Sequence, residues 1–191
     1  KLDVFLVEIA RVLTKKEEIT LDNLEIVSRL QVHRANKSSK YEIAYEPDLY
    51  VPRSKEEAIF EDFKEELEFA LGKPRNLFLI LAEAGMGKTW LMAHIAQELT
   101  EKGEIVFYVP LREGFIELET LFGRPLPQIL NILQRLAEEN NRIIYLFLDG
   151  LDEIPPEKRS EILSMATAMK NKKQIAIILS CRTTDWTYDT R

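Results

Sequence analysis

The chain has 191 residues, enough for one domain of ordinary size and a small appendage. Acidic side chains outnumber basic ones by 32 to 26, for a net charge of −6, which argues against a general nucleic-acid-binding surface. No apolar run approaches membrane-spanning length and no secretory pattern opens the chain; the single Cys181 rules out an internal disulfide, so a cytoplasmic setting is expected.

The chain opens on Lys1 rather than Met, as expected of a trimmed or excised piece. Leu2 to Leu13 and Leu21 to Leu30 read as two helices, separated by the polar Thr14-Lys15-Lys16-Glu17-Glu18. Arg29, Arg34, Lys37 and Lys40 then follow with no acid between them. A helix pair with a basic stretch is the pattern of a helix-turn-helix unit and hence of DNA. A helical extension with a solvated linker at Asn36 to Lys40 explains the same residues more simply, and residues 1–49 are assigned that way. His33 has no partner at metal-ligand spacing. Tyr50-Val51-Pro52-Arg53 reads as an extended segment fixed by Pro52. Glu56 to Leu71 predicts a helix with Ile59, Phe60, Phe63, Leu67, Ala70 and Leu71 on one stripe, closed by Gly72 and Pro74.

The apolar run Leu77-Phe78-Leu79-Ile80-Leu81 predicts a buried strand. It leads into Ala82-Glu83-Ala84-Gly85-Met86-Gly87-Lys88-Thr89, which differs at one position from the phosphate-loop pattern G-x-x-x-x-G-K-[ST]. Glycines in such a loop let backbone N–H groups close around phosphate oxygens, and the helix that follows presents its positive end to them. Lys88 is placed to reach the β- and γ-phosphates and the Thr89 hydroxyl to ligate Mg²⁺. Ala82 stands where the first glycine usually sits; a methyl there is compatible with the loop if the residue keeps φ below zero. Trp90 begins the run into a helix reaching about Glu101, within which His94 reads as a packed or surface histidine.

Lys102-Gly103 predicts a turn into a strand over Ile105 to Val109. The stretch Arg112 to Pro125 is too apolar for a solvated loop, with Phe115, Ile116, Leu118, Leu121 and Phe122; a short helix packed on the sheet edge is the expectation. Pro127 opens a helix whose stripe is Ile129, Leu130, Ile132, Leu133, Leu136 and Ala137. The next apolar run, from Ile143 to Leu148, ends abruptly in Asp149-Gly150-Leu151-Asp152-Glu153. A phosphate-loop enzyme needs a carboxylate at a neighbouring strand tip to hold Mg²⁺ through its water shell, the part assigned to Asp149. Hydrolysis needs a further carboxylate to polarise water, and Asp152 and Glu153 are both candidates, unranked. Pro155-Pro156 opens a helix with Ile162, Met165, Ala166 and Met169 inward. A last buried strand, Ile175 to Ser180, ends at Cys181-Arg182-Thr183-Thr184, where Arg182 is placed to sense the γ-phosphate. Strands alternating with helices give an α/β fold with a mainly parallel sheet. Asn171-Lys172-Lys173-Gln174 lacks the acid that a guanine-binding N-K-x-D element requires, so ATP is favoured over GTP.

Three pieces together, Glu83 to Thr89, Leu148 to Glu153 and Ser180-Cys181-Arg182-Thr183, resemble the NACHT family of STAND-class, AAA+-like signal-transduction NTPases. Val106 to Glu113 is also similar to the family's second strand and its exit. The resemblance runs from about Tyr50 to the C-terminus and implies a three-layer P-loop NTPase domain over residues 50–191. It implies ATP or ADP with Mg²⁺ as cofactors, held by Glu83, Ala84, Gly85, Met86, Gly87, Lys88, Thr89 and Trp90, and adenine contacts at Val51 and Arg53. Asp152, Glu153 and Arg182 become the catalytic set, and Thr89 and Asp149 the metal set. NACHT-like sheets have a fifth core strand beyond those read here, so the domain is expected to stop short of it. The function so implied is a slowly hydrolysing ATP switch at the core of a larger signalling protein, weakly active without its other domains. Such a protein self-associates and answers to an activating ligand that the residues do not specify. A nucleotide-dependent scaffold and a DNA-associated ATPase are the alternatives; Asp152 and Glu153 argue against the first and the acidic balance against the second.

Overall fold

The computed structural model describes residues 19–38, 76–169, 172 and 174–189. The helices expected at Leu2 to Leu13 and Glu56 to Leu71, and the segment holding Val51 and Arg53, lie outside them. The described elements are α1 (Leu21–Ser38), β1 (Leu77–Leu81), α2 (Lys88–Glu101), β2 (Ile105–Pro110), α3 (Ile116–Phe122), α4 (Leu126–Asn140), β3 (Ile144–Asp149), a single 3-10 turn (Leu151–Glu153), α5 (Pro156–Met169), β4 (Ile175–Cys181) and α6 (Thr183–Asp189).

All the strands are parallel, in the order β1-β4-β3-β2. Parallel strands need helical crossovers, and crossovers cover both faces of a sheet, so each strand must be apolar throughout. β3 and β4 are buried at every position and β2 at all but Pro110, and their residues are apolar except Asp149 and Ser180 at the C-terminal ends. Alternate residues feed two cores. Ile105, Phe107, Ile144, Leu146, Ile177 and Leu179 pack on one face with Ile129 and Leu133 of α4 and Ala166 and Met169 of α5. Val106, Tyr108, Tyr145, Phe147 and Ile178 face Leu91, Met92, Ile95 and Leu99 of α2 on the other. The molecule is therefore a three-layer α/β sandwich.

β1 is different. Its residues are only partly buried, and Leu81 is 40% exposed, because no strand pairs with its outer edge among the described residues. Asn76, just ahead of it, is buried and ties this strand to the other end of the chain. Its amide donates to the carbonyl oxygens of Met169 (2.9 Å), Lys172 (2.7 Å) and Ile175 (2.5 Å), while its own backbone carbonyl accepts from the Ile177 N–H.

The apolar stretch after β2 forms the short α3, packed through Leu118, Leu121 and Phe122, with Phe122 edge-on to Phe107; Ile116 is left 70% exposed. α4 starts after Pro125, with Pro127 in its first turn, and stops at Asn141 in the left-handed region. His94 lies on the surface of α2 with Nε2 3.6 Å from Glu98, in keeping with the surface assignment.

One boundary is corrected. α1 runs to Ser38, through the stretch read as a linker from Asn36, because no glycine or proline interrupts it after Leu30. It is no loose appendage. Leu24 and Val27 join one core and Val32 the other, so the helix straddles the edge of the sheet beside β2.

Candidate functional site

The C-terminal ends of β1, β3 and β4 and the start of α2 enclose a cavity of about 360 Å³. Ala84, Gly85, Gly87, Lys88, Thr89 and Trp90 line it from one side. Asp149, Gly150, Asp152, Glu153, Ser180 and Arg182 line it from the other. The fold thus gathers into one space groups that the sequence keeps far apart. Glu83 and Met86 belong to the same loop but do not line the cavity, and the Met86 side chain is exposed. Val51 and Arg53 lie outside the described residues.

The loop's shape follows from its glycines. Gly85 has φ 74° and Gly87 φ 80°, in the left-handed region that other residues enter only with strain. A β-carbon on either would meet nothing within 4 Å, so backbone conformation and not crowding requires glycine there. Ala82 needs no such freedom, since Asn141 is the non-glycine residue with positive φ among the described residues. The substitution for the usual first glycine is therefore accommodated. Lys88 folds back over the loop, its Nζ donating to the carbonyl oxygens of Ala82 (2.9 Å) and Glu83 (3.1 Å).

Asp149 ends β3 as a buried carboxylate fixed on both oxygens. Tyr108 donates its hydroxyl to Oδ2 at 2.7 Å, and Ser180 donates its hydroxyl to Oδ1. The Ser180 Oγ accepts in turn from the Gly150 N–H at 2.8 Å. Each carboxylate oxygen has two acceptor sites, so one on each remains for a further donor or a metal-bound water. A threonine hydroxyl and a carboxylate are hard oxygen donors of the kind Mg²⁺ takes alongside phosphate oxygens, and the residues present fit that ion. Among the described residues no group of three or more His, Cys, Asp or Glu is arranged to hold a metal without such help.

The turn after Asp149 separates the two candidate acids. The Asp152 side chain is 4% exposed and clamps Arg182: Arg182 Nε lies 2.7 Å from Oδ2, and the Arg182 backbone N–H donates to Oδ1 at 3.0 Å. Arg182 itself is 46% exposed. Glu153 is exposed, lines the cavity and lies over Gly150. Arg159 of α5 braces the turn from behind. Its Nε donates to the Ile154 carbonyl and its Nη2 to the Asp152 carbonyl, both at 2.9 Å, and its Nη1 lies 3.6 Å from Asp185. Cys181, between Ser180 and Arg182, is buried; burial first, then the nearby Asp152 and Asp185, push its thiol up to about 11, so it stays protonated.

Tyr108, Ser180 and Arg159 carry no assigned part in the sequence reading. Tyr108 sits in an apolar strand, where a tyrosine is ordinarily core, and only its hydroxyl, which needs a partner when buried, hinted otherwise.

Gly150 also supplies a local test. It has φ 81°, and a β-carbon there would lie 3.3 Å from Cγ and Cδ of Glu153. Gly150→Ala is expected to cost about 1 to 2 kcal/mol of stability from the left-handed backbone and to displace Glu153. Chemical denaturation of the variant against wild type measures the cost in stability.

The acid-tipped strand is not next to β1, as the sequence reading expected, but one place removed, with β4 between them; a parallel sheet whose first strand delivers a glycine loop and helix, with an acid-tipped strand so placed, defines a P-loop NTPase. The chain belongs to the novel STAND NTPase 5 family, whose model matches residues 41–191. No curated protein matches it. Among solved structures, that of C. elegans PCH-2 shares the fold, with a TM-score of 0.51 at 13% identity over 71% of this chain and 39% of that one. The Cdc6p structure from Pyrobaculum aerophilum follows at 0.48 and 19% identity, covering 76% of this chain and 44% of that one. The Walker-type ATPase PABY2304 of Pyrococcus abyssi gives 0.45 at 16% identity, covering 71% and 46%. The chain spans less than half the length of each. No helix among the described residues is long and apolar enough to cross a membrane.

Proposed function

We propose that this domain binds ATP and ADP with Mg²⁺ and hydrolyses ATP slowly, as the nucleotide-operated core of a NACHT-like switch in a larger, cytoplasmic signalling protein. The observation that carries the reading is the single cavity lined by Lys88, Thr89, Asp149, Glu153 and Arg182. Lys88 and the loop N–H groups hold the β- and γ-phosphates; Thr89 and Asp149 hold Mg²⁺, which when bound neutralises charge that develops between those phosphates. Glu153 is the general base. Asp152 is committed to Arg182 by two contacts, one on each carboxylate oxygen, whereas Glu153 is exposed and lines the cavity. Asp152 thus serves to aim Arg182 at the γ-phosphate. Self-association and an activating ligand belong to the longer protein under this reading.

Calorimetric titration with ATP, ADP and GTP, each with and without Mg²⁺, tests it. Adenine nucleotides are expected to bind, more tightly with Mg²⁺, and GTP to bind more weakly. A chain that takes up none of them would overturn the proposal.

A further inference from the structure

α1 ends before the residues matched by the family model begin, yet two of its side chains hydrogen-bond the backbone of the sheet. Among the described residues β2 is the edge strand of the sheet, and the outward backbone groups of Val106 and Tyr108 face α1 there. Two buried side chains of α1, one turn apart, meet them. Ser28 Oγ donates to the Val106 carbonyl and accepts from the Val106 N–H, both at 2.7 Å. Gln31 Nε2 donates to the Tyr108 carbonyl, and Gln31 Oε1 accepts from the Tyr108 N–H at 2.7 Å. The Gln31 carboxamide thus offers one donor and one acceptor in the arrangement of a peptide group on an adjoining strand.

The residue so gripped is the one whose hydroxyl reaches Asp149. Tyr108 is held by its backbone from α1 and holds the carboxylate at the tip of β3 with its ring. The reach is short because β2 and β3 are in register, Tyr108 opposite Phe147 and Pro110 opposite Asp149. Ser180 fixes the other carboxylate oxygen from β4. Asp149 is therefore oriented from both neighbouring strands, and one of those supports is anchored on a helix outside the family's matched segment.

We propose that Tyr108 and Gln31 are positioning residues for the Mg²⁺-binding carboxylate, Tyr108 directly and Gln31 through Tyr108, so that α1 is a working part of the nucleotide site. The inference rests on the nucleotide reading above. Partners that orient a metal ligand change metal affinity without touching the metal. A helix that merely covered the sheet would affect stability alone.

The test reads Mg²⁺ dependence in the whole 191-residue chain. ADP affinity is measured with and without Mg²⁺, and the gain from Mg²⁺ is the readout; ADP avoids turnover. Tyr108→Phe keeps the ring and removes one donor; it is expected to cut the gain about tenfold, the low end for loss of such a partner. Gln31→Met keeps most of the side-chain volume and is expected to cut it several-fold. The double variant should lose no more than Tyr108→Phe alone, because the two act in series. Tyr108→Phe with the full wild-type gain overturns the proposal, whatever Gln31→Met does, and carries the test by itself if Gln31→Met does not fold. A lowered melting temperature in Gln31→Met with an unchanged gain overturns the part assigned to α1. Lys88→Ala separates the two levels. If it abolishes ADP binding while Tyr108→Phe changes nothing, this inference alone fails. If Lys88→Ala binds ADP as well as wild type, the nucleotide reading fails and takes this one with it.

Discussion

Lys88→Ala should abolish most nucleotide binding while leaving the fold intact. Lys88 sits at the first turn of α2 and its ammonium group bonds only loop carbonyl oxygens that can be rehydrated, so its removal creates no buried orphan in the core. It is the cation of the phosphate loop, and Arg182, across the cavity, is held by Asp152. A hydrogen bond to a charged group is worth about 1.5 to 3 kcal/mol; at 1.4 kcal/mol per tenfold, the upper end predicts weakening of about a hundredfold. Calorimetry with ATP and ADP measures it, with circular dichroism confirming the fold. An affinity equal to wild type would remove the phosphate-loop assignment.

Glu153→Gln is expected to separate turnover from binding. The amide keeps the size of the side chain over Gly150 and cannot take a proton. General-base contributions run to about a hundredfold to ten-thousandfold, so single-turnover hydrolysis should fall within that range while Mg²⁺-ATP affinity stays within a few-fold. Asp152→Asn should slow the reaction by another route. It loosens Arg182, and its effect should largely disappear when Arg182 is already Ala, because the two act as one unit. A Glu153→Gln variant as fast as wild type would show that the base is elsewhere.

The parts of this molecule that the sequence disclosed are those written locally. β2, β3 and β4 are apolar runs up to Pro110, Leu148 and Leu179 because both faces of the sheet are covered, and the strands end within a residue or two of those boundaries. The phosphate loop is legible because glycines are needed where φ is positive, at Gly85 and Gly87, and the acidic motif because charged residues end an apolar run at Asp149. The difference in surroundings between Asp152 and Glu153 was not legible. They are adjacent in sequence, and only the arrival of Arg182 at the end of β4 distinguishes them. The contacts of Ser28, Gln31 and Tyr108 were hidden for the same reason. Ser28 and Gln31 meet residues 78 and 77 positions away, and a polar residue on a helix reads as solvent-facing until something lies against it. Arg159 gave no signal at all, since its partners include the backbone carbonyl oxygens of Asp152 and Ile154, which any sequence could contribute.

The strand order has a practical consequence for dividing this chain. β1, which carries the phosphate loop, has one strand partner among the described residues, and that partner is β4. Leu77 pairs with Ile177, and the Asn76 amide closes on the carbonyl of Ile175. β2 and β3, which lie between them in sequence, do not pair with β1. A piece cut before Ile175 would keep every residue of the phosphate loop and Asp149, Asp152 and Glu153, yet remove the strand that β1 pairs with among the described residues. The phosphate loop is contiguous in sequence, but a piece that keeps the described pairing of its strand reaches to Cys181.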